Sequence, residues 1–160
     1  MALPRATQVF TAGHWPEAKA AGCVTLGFDD RHRRRMRLSL DNAHGDFMLD
    51  LARAERLRDG DGLLLDDGRY IQVRAAHEDV MDITASRGRD AIRIAWHLGN
   101  RHLPVQVLHG GGLRLRYDHV IEHMVIDLGG KVERKLGIFA PEPGAYDGAP
   151  AHTHDHGHDH

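Results

Sequence analysis

Histidine is the residue whose number and spacing could do chemistry here. The 160-residue chain holds 14 of them, and His152, His154, His156, His158 and His160 recur at every second position of its last nine residues. Neutral imidazole is a borderline ligand that suits nickel, zinc, copper and iron. Two or three such rings can close on one ion, and Asp155 and Asp159 can add oxygen. Such a site is not preformed, so ordering it costs free energy and lowers affinity. Fast, pH-dependent, multiple occupancy is the physical expectation. The run is broken by Thr, Asp and Gly, which favours a native metal-binding tract over an expression tag.

Three further clusters carry chemistry. The segment His97-Leu98-Gly99-Asn100-Arg101-His102-Leu103-Pro104-Val105-Gln106 reads as a helix end, a short loop and a strand entry. His97 falls in the last turn, where a cationic ring suits the helix dipole, and His102 in the loop, free to project. His119-Val120-Ile121-Glu122-His123 matches the inverted zinc-protease pattern H-x-x-E-H. A protease of that kind needs a further acidic ligand on a distant helix, and the remaining chain is too short for its substrate cleft, so a solvated helix face is favoured over an auxiliary metal site or a small zinc hydrolase. Arg31-His32-Arg33-Arg34-Arg35-Met36-Arg37 is a basic knot. It reads first as a turn plus the wet face of a strand, and second as a dock for an acidic partner.

Composition bounds the alternatives. There are 21 Lys plus Arg against 23 Asp plus Glu, and the last twelve residues contain two Asp and no Lys or Arg, so the body is formally neutral. That argues against nucleic-acid binding, as does the absence of aromatic residues interleaved with the arginines. No apolar run is long enough to span a membrane, and the first residues show no secretory signal. Cys23 is the single cysteine, which excludes an internal disulfide and a Cys-cluster zinc site. Together these predict a cytoplasmic protein. The Gly110-Gly111-Gly112 stretch lacks the Lys-Ser/Thr of a phosphate loop.

The elements that must position these residues fall in three segments. Residues 1–79 read as a small all-β domain, of two short sheets, with strands at 23–28, 35–40, 47–49, 63–65 and 70–73 separated by Asp-Gly turn signals. Residues 80–144 switch period. Strands at 80–85, 104–108, 113–116 and 131–138 enclose helices at 89–98 and after Asp118, the order βαββαβ of a ferredoxin-like domain. Gly99 is the expected C′ residue of the first helix and Gly129 of the second. The first helix carries Ala91, Ile92, Ala95 and Trp96 on one stripe and Ile94 and Leu98 on another. A helix apolar on two sides calls for a partner or a second copy. Residues 145–160 form the His-rich tail, read as disordered. The fold class is α+β.

HLGNRHLPVQ resembles the hallmark of the UreE family, urease accessory proteins that carry nickel. Leu113-Arg114-Leu115-Arg116-Tyr117-Asp118-His119-Val120-Ile121, Pro141-Glu142-Pro143-Gly144-Ala145-Tyr146 and the His-rich end resemble further family segments, in the same order. The resemblance implies a nickel metallochaperone, not an enzyme, with Ni²⁺ as cargo and zinc or copper as competitors. It implies an N-terminal domain of the peptide- or partner-binding type and a homodimer formed through the C-terminal domain. His102 is then the essential nickel ligand at the dimer axis, helped by the tail histidines, and His119 a peripheral ligand; Tyr117 stands where some members carry a second one. The implied partners are the urease apoprotein and an accessory GTPase, with no nucleic acid and no membrane. A general nickel or zinc buffer without a client is the alternative.

Overall fold

A computed structural model describes residues 2–144. The N-terminal part is built of β1 (Arg5–Phe10), β2 (Ala20–Leu26), β3 (His32–Ser39), β4 (Asp46–Arg56), β5 (Gly62–Leu65) and β6 (Tyr70–Ala75). All six belong to one sheet of order β2-β6-β5-β1-β4-β3, so the two separate short sheets expected from the sequence are not found. The reason is two parallel pairings, β1 with β4 and β2 with β6. Turn signals report only the hairpins between sequential strands. β1 itself lacks an unbroken apolar run and escapes notice: only Ala6 of its six residues is fully buried. Leu26, Leu38, Phe47, Leu49, Leu51, Leu63, Ile71 and Val73, all from its strands, pack together as its core.

The second part runs β7 (His77–Thr84), α1 (Gly88–Asn100), β8 (Gln106–Val107), β9 (Leu113–Arg116), α2 (His119–Asp127) and β10 (Lys131–Ile138). Its sheet order is β10-β7-β9-β8, with every pairing antiparallel. This is the split β-α-β arrangement read from the sequence. β7 begins at His77, ahead of the expected position 80, because pairing with β10 continues to Ile138 opposite His77. Both helices cover one face of the sheet. Met81, Ile83 and Leu115 from the strands pack against Ile94, Leu98, Ile121 and Val125 from the helices. Gly130 lets this closeness occur: a Cβ there would lie 2.6 Å from Val125 Cγ1 and 2.8 Å from Ile94 Cδ1.

The two parts meet on a third, small core of Phe28, Val80 and Phe139. The Phe28 and Phe139 rings cross edge-to-face at 5.1 Å. Arg31, expected within the exposed basic run, is instead only 1% accessible and donates from Nη2 to the Phe139 carbonyl. Desolvation lowers its pKa. Arg116 reaches back to Asp29 at 3.0 Å, and Glu78 accepts the Phe28 amide at 3.0 Å. A run of arginines in one sequence carries no mark of which member turns inward.

Candidate metal centre

His102 is placed by the way α1 ends. The helix does not stop at Gly99 as its glycine suggested; it runs through Asn100, with Arg101 as C-cap. The left-handed residue that follows is His102 itself, at φ 57°, the single described non-glycine residue with positive φ. Its amide donates to the Gly99 carbonyl at 3.0 Å, and the Arg101 amide to His97 and Leu98 carbonyls at 3.2 Å. Leu103, next in line, joins the core cluster that contains Leu98. This is the geometry of a C-terminal cap in which C′ is usually glycine and a hydrophobic contact follows. An L-residue there costs about 1–2 kcal/mol. The backbone thus aims one exposed imidazole off the helix end, at some cost to stability. Such strain is the kind that surrounding structure holds in place at functional sites.

The surface beside His102 is apolar. Ile92 is 72% and Trp96 63% exposed, and with Ala95 and Gly99, also exposed, they make one stripe at helical spacing. Of the two apolar flanks read from the sequence, the Ile94 and Leu98 flank fills the core and the Ile92 and Trp96 flank stays open. The stripe borders a groove lined by Ile83, Ala91, Ala95 and Leu113. His97, half-buried, meets the Trp96 ring edge-on at 5.0 Å.

His119 opens α2, just after Asp118, whose carboxylate accepts the Val120 and Ile121 amides at 2.8 and 3.1 Å. The cap and the Gly129 stop (φ 89°) both match the sequence reading. His119 and His123 are exposed and Glu122 half-buried. Among the described residues no three His, Cys, Asp or Glu side chains come together as a metal set, so the H-x-x-E-H pattern does not assemble one. His102 likewise belongs to no such set among the described residues. His152, His154, His156, His158 and His160 lie outside the described residues, as does the expected disorder of 145–160.

Three arginines of the basic run pair with carboxylates. Arg33 pairs with Asp30 at 3.1 Å, Arg35 with Asp50 at 2.7 Å and Arg37 with Asp46, while Arg34 Nε donates to the Leu51 carbonyl at 3.1 Å. These contacts are those of the wet strand face that the sequence reading puts first. Sequence reasoning missed the polar centre under the C-terminal sheet. Arg114 forks onto Asp82 at 2.6 and 3.0 Å, and Lys135 adds 3.2 Å. Hydrogen bonds from Arg114 hold the Asp82 carboxyl below the usual carboxylate range, against partial burial. Alternation along β9 and β7 was the available signal: Arg114 and Asp82 occupy facing positions. No helix among the described residues is long and apolar enough to cross a membrane.

Known proteins resemble the whole chain. The family model for the N-terminal domain of the UreE urease accessory protein matches residues 2–76, and that for its C-terminal domain residues 78–160. The urease accessory protein UreE of Bradyrhizobium sp. BTAi1 is 50% identical over 153 residues, 95% of this chain and 72% of that protein. Its namesake in Rhodopseudomonas palustris HaA2 is 53% identical over 152 residues, 92% of this chain and 66% of that protein. The one in Ruegeria pomeroyi is 41% identical over 162 residues, covering 100% of both. With both halves matched in order and at this identity, the chain belongs to the UreE family, whose members are urease accessory proteins rather than enzymes.

Proposed function

We propose that the protein takes part in urease maturation as a nickel carrier, binding Ni²⁺ and delivering it during active-site assembly. The observation that carries this is His102: an exposed imidazole kept in a strained backbone position that glycine would fill more cheaply. One imidazole cannot hold an ion tightly. A twofold axis supplies a second without further sequence, and the open Ile92 and Trp96 stripe on the helix that ends just before His102 supports a homodimer there. Large exposed apolar surface of this kind is the mark of an interaction site.

On this reading two fixed rings and the tail histidines 152, 154, 156, 158 and 160 share the ion, and His119 is a peripheral ligand. A site completed by separate chain segments loads and unloads more readily than a closed four-ligand cage. Zinc fits the same donors and copper binds N-donors more tightly, so choice of cargo rests on geometry and supply. The division into an N-terminal partner-binding part and a C-terminal metal-binding part, a cytoplasmic location, and clients comprising the urease apoprotein and an accessory GTPase belong to the same proposal.

The test is equilibrium dialysis with nickel beside a urease assay in cells. His102→Ala should remove the tightest site per dimer and leave weaker tail sites; unchanged tight binding overturns the reading. Deletion should abolish urease activation at limiting nickel and be rescued by excess nickel. Nickel binding without any effect on urease would favour a buffering protein instead.

A further inference from the structure

The path by which the chain leaves the fold has a definite course. β10 lies at one edge of the sheet and β8 at the other, with β7 and β9 between them. After Ile138 the chain does not continue away from the β10 edge. Arg114 Nη1, on β9, donates to the Ile138 carbonyl at 2.9 Å. Gln106 Oε1, on β8, accepts the Ala140 amide at 3.0 Å. The Val105 carbonyl accepts the Glu142 amide at 2.8 Å. These three bonds are taken by residues 138, 140 and 142, the period of an extended chain. They lead it from one edge of the sheet across to the other.

We infer that Gln106 is a positioning residue that roots the C-terminal extension beside the His102 loop. This rests on the nickel reading above. Strands are spaced about 4.8 Å apart, so the crossing over three intervals shifts the root by about 14 Å toward β8. Val105 follows His102 by three residues, so at most about 11 Å of chain separates them. His152 follows Glu142 by ten residues, a reach of at most about 35 Å. Rooting a ligand-bearing segment near its target raises its effective concentration there, with no new metal contact. Among the polar side chains of the hallmark segment, Gln106 thereby acquires a role distinct from ligation.

The experiment compares two chain lengths, the full protein and one ending at Gly144, each with and without Gln106→Ala, by nickel titration. A second variant, Ala140→Pro, removes the donor and leaves the 97–106 segment untouched. Both variants should weaken nickel binding about three- to tenfold in the full chain and leave the shorter chain unchanged. Gln106→Glu, which keeps an acceptor oxygen, should bind as the unsubstituted protein does. Equal weakening in both lengths would mean that His102 itself was disturbed, and no weakening in the full chain would mean that the root does not matter; either overturns the inference. Amide exchange in metal-free protein gives a separate readout. Protection at Ala140 and Glu142 should fall in Gln106→Ala, and unchanged protection overturns the inference too. Should His102→Ala leave nickel binding intact, the nickel reading fails, while exchange still decides whether Gln106 holds the exit.

Discussion

The two helices of the C-terminal part end in the same way with opposite residues. α2 passes from Leu128 into Gly129 at φ 89°, and α1 passes from Arg101 into His102 at φ 57°. At Gly129 backbone requirement and residue type agree, and a Cβ would meet Asp90 Oδ2 at 3.0 Å. At His102 they disagree. A glycine is available three residues earlier, yet it is spent inside the helix. The difference sets a residue whose backbone freedom suits the stop against one that brings a side chain into the same left-handed position at a cost.

The largest expected effect concerns metal. His102→Ala should lower affinity at the tight nickel site by more than about a hundredfold, since loss of a mere outer partner of a ligand already accounts for about 10- to 100-fold. Gly129→Ala should leave nickel affinity unchanged. Dialysis of both proteins side by side checks this, and parity between them would erase the contrast.

Stability should divide the two ends in the other direction. Gly129→Ala places an L-residue in the left-handed region beside Asp90 and should cost about 1–2 kcal/mol in urea denaturation. His102→Gly removes the same strain but frees the unfolded chain, so a gain of about 0.5–1 kcal/mol is expected. A protein made more stable while losing its metal would identify the strain as functional. A loss of stability in His102→Gly would mean that the imidazole makes structural contacts of its own.

The smallest effect bounds the pH range over which the comparison is clean. Asp82, hydrogen-bonded by Arg114, has its carboxyl pKa lowered in the folded protein. The unfolded chain therefore binds protons first as pH falls. The pair's contribution is complete above the ordinary carboxylate pKa and is lost as pH drops through the lower folded value. Asp82→Asn keeps an acceptor oxygen but loses the charge; it should cost about 1 kcal/mol at pH 7, the size of an ordinary hydrogen bond, and flatten the acid limb of stability. Nickel titrations at pH 6–8 then see an intact sheet. An unchanged acid limb in Asp82→Asn would remove this pair from the account.

The sequence alone carried the order of elements in the C-terminal part, because apolar period and capping chemistry agree there: Asp118 caps, Gly129 stops, and β9 and β10 appear with the bounds read for them. His102 too was singled out from residue type and from the family resemblance. What the tertiary structure decided were matters of pairing and of side. Parallel partners of β1 and β2 merged the expected sheets into one. Packing chose Ile94 and Leu98 for the core and left Ile92 and Trp96 open, though both pairs have helical spacing. Burial at the joint took Arg31 from a run that otherwise finds carboxylates and a carbonyl at the surface. The Gln106 bond to Ala140 spans 34 residues. Local preferences act over a few residues and are written in the chain, whereas these outcomes depend on which distant segment arrives, and a linear sequence does not record that distance.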